Sequence, residues 1–436
     1  MTLHRPRRCT RITSLPRRGR SHPSPRSQKR TLSLNTPDFG TRGAPAGPRL
    51  TPFAYGFRPF FFAALIYAPI AVLVWLWMLD SGRAPLPGLP PQLWHGHEMV
   101  FGFVGAAIAG FLLTAVPSWT GARGFAGAPL VAVVTAWLLG RLAFAFAAQV
   151  PYALLAITEL AFLPVLIAML APPLLRVRNR NTPLLLVLVV LWACDTLFVH
   201  ALARADATLA STALRASINV VLLLITVIGG RIVPAFTGNA LRAAGVVAPI
   251  RTRGWLEVSV ITAMVLNVVA DAVALAPVTI ATIAGIAALA HFIRLAGWQG
   301  WRTLGEPIVW VLHLAYAFLP LGLALKAVSL ATGAAWAGFW LHSLTAGTIG
   351  LMIVAVITRA SLGHTGRPLR VSTWISGAYL LLAGAAIVRV FGPALLMPHY
   401  SWTLCISGSL WIAGFAILAV GYAPILLQPR VDGKAG

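Results

Sequence analysis

The run Trp94-His95-Gly96-His97-Glu98-Met99 gathers two imidazoles, a carboxylate and a thioether at the mouth of a long apolar segment. Imidazole and thioether are transition-metal ligands, and polar groups at the edge of a hydrocarbon layer are costly enough to imply a use. The spacing limits that use, because residues two apart on a helix project about 200° apart and cannot share one ion. Either the helix begins at His97 and Gly96 lets both rings converge, or each ring serves its own partner, His97 facing a bundle and His95 an aqueous rim. Glu98 reads equally well as a first-turn carboxylate stabilised by the helix dipole.

The elements that must position these groups follow from composition. Of 436 residues, 58% are hydrophobic and 10% charged, with a mean hydropathy of +0.82; soluble chains carry roughly a quarter charged residues. The fold class is therefore all-α, a polytopic transmembrane helical bundle. Apolar runs long enough to cross roughly 30 Å of hydrocarbon recur over 57–79, 95–116, 129–149, 151–172, 183–202, 212–233, 255–274, 276–297, 305–331, 336–358, 372–391 and 402–427. That predicts about twelve spans. The net charge of +24 is topogenic rather than a nucleic-acid signal, since residues 1–50 hold twelve Lys/Arg against Asp38 alone and most other cations lie in short gaps. The gaps with Arg123, with Arg176, Arg178 and Arg180, with Arg242, Arg251 and Arg253, with Arg302, and with Arg367 and Arg370 share one side, which predicts both termini to be cytoplasmic. Residues 1–52 read as a disordered basic cytoplasmic tail, 53–428 as the transmembrane domain and 429–436 as a short C-terminal tail. The three cysteines form no CxxC or CxxCH pattern, so any haem is held non-covalently.

Depth then groups the histidines. His95, His97 and His200 lie at the outer face, and His342 roughly 9 Å below it; His291 and His313 lie roughly 9 and 12 Å above the cytoplasmic ends of the eighth and ninth spans, where they could face each other. His364 falls in the loop after the tenth span and His399 in an outer loop. Gly102, Ala106 and Gly110 form a small-residue stripe, as do Ala346 and Gly350 below His342. Such a stripe admits a neighbouring helix or the flat face of a porphyrin. Glu306, Trp310, His313 and Tyr316 share a helix face, with a kink expected near Pro320. Arg141, Glu159, Asp195, Asp271 and Arg389 lie in or near spans and should pair, with Arg141 or Arg389 alternatively reaching a haem propionate.

Four segments carry a family resemblance. Gly56-Phe57-Arg58-Pro59-Phe60-Phe61, the second-span run from Trp94 to Pro117, Val233-Pro234-Ala235-Phe236-Thr237-Gly238-Asn239, and Thr358-Arg359-Ala360-Ser361-Leu362-Gly363-His364-Thr365-Gly366-Arg367-Pro368 resemble the NnrS family over about residues 53–427. Gly96 stands where many relatives have Ala. The resemblance implies a bacterial inner-membrane protein of about twelve spans that binds haem and copper and serves nitric oxide metabolism or the relief of nitrosative stress. It marks His95, His97, Glu98, Met99, His342, Arg359 and His364 as functional positions. Combined with depth, it assigns copper to His95, His97, His200 and His342 with Met99, and a b-type haem to His291 and His313, with His342, Arg359 and His364 as further cofactor-binding candidates. The expected partners are nitric oxide or a related small molecule and the lipid bilayer, and not nucleic acid. The alternative is a membrane transporter or metal-handling protein with histidine metal sites. Internal inverted symmetry would favour transport, and no clear repeat stands out in the sequence.

Overall fold

Twelve helices long and apolar enough to cross a membrane make up the computed structural model, which describes residues 51–83, 86, 89–246, 250 and 252–433. The basic tail up to residue 50, Arg251 and the last three residues lie outside the described residues. The helices are α1 Phe57–Ser81, α2 Pro91–Thr120, α3 Ala128–Ala145, α4 Tyr152–Arg176, α5 Leu184–Ala203, α6 Ala207–Ala243, α7 Gly254–Ala272, α8 Pro277–Gly297, α9 Pro307–Thr332, α10 Ala335–His364, α11 Thr373–Leu395 and α12 Tyr400–Leu427. No strand occurs among the described residues. The chain is a multi-pass helical membrane bundle, since only helices satisfy every backbone group within one apolar segment.

Local chemistry sets the ends. Proline opens α2, α8 and α9, where its missing N–H costs nothing. Asp206 caps α6 by accepting from the Leu209 amide at 2.9 Å. Two ends depart from the hydropathy reading. The α6 helix has 37 residues and runs through Pro234, ten residues past the expected end at 233; proline is tolerated inside membrane helices, where surrounding groups can take up the backbone carbonyl it frees. The α10 helix continues to His364, so Arg359 and His364 stand on a helix and not in a loop.

Helices that are neighbours in sequence pack on one another, and α1 packs against α12. Helices α2 and α10 share a residue pattern. His97 and His342, Gly102 and Gly347, Gly105 and Gly350, and Thr120-Gly121 and Thr365-Gly366 stand at one constant offset along the chain. Both histidines sit immediately before a π-helical stretch, Glu98–Val104 in α2 and Ser343–Gly350 in α10. Gly121 and Gly366 follow those helices in the left-handed region, at φ 68° and 72°. Seven helices lie between α2 and α10, so the two run in the same direction, and the repeat is parallel rather than inverted. π-Helical turns accommodate an extra residue and concentrate at functional sites.

The small-residue stripes serve helix packing. A Cβ at Gly102 would lie 2.4 Å from Tyr67, at Gly110 2.6 Å from Phe61, and at Gly347 2.4 Å from Phe318. These faces are occupied by α1 and α9 and leave no flat wall for a porphyrin.

Candidate metal centre

Because the second helix begins at Pro91, His95 and His97 both lie on it and point apart. His97 is fully buried, its ring stacked 3.9 Å from that of Phe144. Its Nδ1 is 2.9 Å from Glu98 Oε1 and its Nε2 3.1 Å from Asp195 Oδ1 and 3.6 Å from Glu159 Oε1. Arg141 bonds Glu98 Oε1 at 2.5 Å and also pairs with Glu159, while the Tyr67 hydroxyl donates to Glu98 Oε2. Glu98 is thus an ion-pair partner two turns into the helix and not a first-turn carboxylate. Arg141, Glu159 and Asp195 pair as charges inside an apolar bundle must.

The charge balance of this cluster dictates its chemistry. Three carboxyl groups face one guanidinium, and every one of these side chains is 5% exposed or less. The group therefore needs protons or a cation to approach neutrality. Among the described residues, His97, Glu159 and Asp195 are the group of His, Cys, Asp and Glu whose ligand atoms all lie within 4.8 Å of one another. With Nδ1–H donated to Glu98, Nε2 accepts from Asp195 when that carboxyl is protonated, and turns its lone pair to a cation when one replaces the proton, the carboxylate–histidine arrangement that orients metal-binding imidazoles.

His95 belongs to a second group. Its ring stacks 4.4 Å from the indole of Trp75 on α1. His342 on α10 lies within electrostatic reach of both His95 and Arg389 on α11. Arg389 donates to the Tyr400 hydroxyl at 3.0 Å and sits over the rings of Phe339 and Tyr400. Nδ1 of His95, Nδ1 of His342, and Nε and Nη1 of Arg389 are buried without a partner. Two imidazoles from different helices beside a guanidinium with unspent N–H groups suit a metal carried by an anionic organic frame.

The other predicted residues are placed apart. His200 is exposed, its Nε2 3.4 Å from Arg204 at the end of its own helix, so the expected four-histidine outer layer resolves into His97, the His95–His342 pair, and His200 alone. Met99 packs against the apolar core. His291 and His313 do not bond each other: His291 Nδ1 is 2.6 Å from the Tyr316 hydroxyl, and His313 Nε2 is 2.8 Å from Thr237 Oγ1 on α6. Trp298 contacts the rings of both Tyr316 and His313. Arg359 lies 3.7 Å above the Phe236 ring, and His364 packs on Tyr55 and Phe57.

Two further ion pairs lie in the bundle, and of their four residues the sequence reading names Asp271 alone. Arg294 pairs with Glu257 and donates to Tyr316 at 2.9 Å, and Lys326 bonds Asp271 at 2.6 Å and Asn267 at 2.9 Å. Lys326 is the one lysine inside an apolar run, a signal strong enough to have been read.

None of the curated proteins compared with the chain matches it. The family model described as NnrS protein matches residues 51–430 and takes in all four resembling segments, the His97 cluster and the His95–His342–Arg389 group. The chain belongs to the NnrS family.

Proposed function

We propose that the protein is a haem- and copper-binding protein of the bacterial inner membrane, with both termini cytoplasmic, that binds or turns over nitric oxide or shields cellular iron from it. Family membership supports a membrane protein linked to nitric oxide. The observation that carries the metal reading is the set of unpartnered ring nitrogens on His95 and His342 beside the unpartnered N–H groups of Arg389. His95 and His342 would hold a b-type haem and Arg389 a propionate; bound there, the haem would supply a redox-active iron. Trp75 fixes the His95 ring by stacking. His291 and His313 also keep one free ring nitrogen each, Nε2 and Nδ1, but Arg294 beside His291 has its N–H groups bonded to Glu257, Thr226 and Tyr316, so no guanidinium is left there for a propionate.

His97, Glu159 and Asp195 would hold copper through one imidazole nitrogen and carboxylate oxygens, a donor set suited to Cu(II). Glu98 orients His97, and Arg141 offsets the carboxylates when the metal is absent. A metal-handling or transport role is the second reading, favoured by the internal repeat, a device shared with many transporters.

The test is a visible spectrum and metal analysis of purified protein. His95→Ala or His342→Ala should each abolish most haem absorbance, while His97→Ala lowers copper content and leaves haem in place. Full haem content in both former variants would sink the haem assignment. A featureless spectrum from haem-replete cells would favour metal handling.

A further inference from the structure

A cavity of about 600 Å³ opens on the outer surface of the bundle between α8, the α8–α9 connection, α9 and Leu380 of α11. Its walls include Phe292, Ala296, Trp301, Trp310 and His313. Phe292, Trp301 and Leu380 are each about 60% exposed, so the mouth faces the space that lipid fills. Its volume falls within the roughly 300–1,000 Å³ of small-molecule pockets. One polar side chain in this wall stands out. His313 is 8% exposed, and its Nδ1 has no partner.

The protonation of that ring follows from its neighbour. Thr237 Oγ1 lies 2.8 Å from the Val233 carbonyl oxygen and donates its single proton there, as helical threonines do. Toward His313 the same oxygen can only accept, at 2.8 Å, so Nε2 carries the hydrogen and Nδ1 is a bare acceptor. Gly300 packs against this edge of the ring and leaves room for no side chain between it and the cavity: a Cβ there would lie 2.5 Å from both Cγ and Nδ1. An acyl chain would fill the volume but has no hydrogen to give. The missing partner is a flat, lipid-soluble molecule with a hydroxyl donor.

We propose that this cavity binds a membrane hydroquinone, its ring against the aromatic walls and one hydroxyl donating to Nδ1 of His313. The site is separate from the His95–His342 group and stands whether or not that group holds haem. Entry from the bilayer suits a ligand that dissolves there, and the indole of Trp301 at the mouth sits as interfacial tryptophans do.

The full-length protein in phosphatidylcholine nanodiscs, titrated with a short-tailed benzoquinol and read by tryptophan quenching, tests this. Saturable quenching is expected, weakened about tenfold or more by His313→Phe, as loss of one hydrogen bond implies. Ala296→Trp, which fills the cavity from an exposed position, should weaken it similarly while haem content stays unchanged. The dimethyl ether of the same quinol, with no hydrogen to donate, should bind about tenfold more weakly. Non-saturable quenching that Ala296→Trp leaves unaltered, equal binding of the ether, or displacement of the quinol by phosphatidylethanolamine nanodiscs alone would overturn the proposal. So would loss of haem from Ala296→Trp, which would make the cavity a porphyrin pocket. If His313→Phe fails to fold, Ala296→Trp and the ether decide.

Discussion

Arg141→Met removes the one guanidinium from a cluster of three carboxyl groups, keeping an apolar stem of similar length. Arg141 is 5% exposed and pairs with both Glu98, at 2.5 Å, and Glu159. Breaking a buried pair by deleting one partner costs about 3–5 kcal/mol, because the remaining charge is left without compensation. Here two carboxylates lose their partner at once, so the upper part of that range is expected. Against a total stability of about 5–15 kcal/mol, this is a large fraction. Unfolding of the purified protein with increasing SDS, followed by far-UV circular dichroism, measures the loss. The triple variant Arg141→Met with Glu98→Gln and Glu159→Gln should recover most of it, since neutral replacement of a whole buried ionic group is often close to neutral in stability. A single variant within about 1 kcal/mol of the parent would refute the view that these groups form an ionised cluster.

Lys326→Met should cost about 1–3 kcal/mol, less than Arg141→Met because Asp271 is 21% exposed, and Asp271→Asn in the same chain should restore most of it in the same assay. Gly230→Ala should cost about 1–3 kcal/mol by overpacking, since its Cβ would lie 1.7 Å from Arg294 Nη2 and push the guanidinium off Glu257. Arg359→Lys keeps the charge over Phe236 but loses the planar stacking at 3.7 Å; a loss of about 1 kcal/mol or less in thermal unfolding is expected, with haem content unaltered.

Helix number and placement were legible because lipid forces each apolar run to satisfy its own backbone. The exceptions were ends: Pro234 reads as a stop but is carried through α6, and the polar turn Ser361 to His364 still belongs to α10. The divergence of His95 and His97 was legible from helical angle alone. Their partners were not, because depth gives height along a helix and not direction around it. His200 shares the height of His97, yet Asp195, earlier on the same helix, is the residue that meets His97. The parallel repeat escaped the sequence reading because only scattered residues, such as His97 and His342, keep the common offset. The π-helical stretches add a residue per turn without altering hydropathy, so nothing in the apolar pattern reveals them.

The most direct test of the central claim is the haem spectrum of His95→Ala, His342→Ala and the His291→Ala/His313→Ala double variant, purified in parallel and titrated with nitric oxide. The first two variants should lose haem absorbance and its nitric oxide shift, and the double variant should retain both. Retention in His95→Ala and His342→Ala with loss in the double variant would contradict that claim.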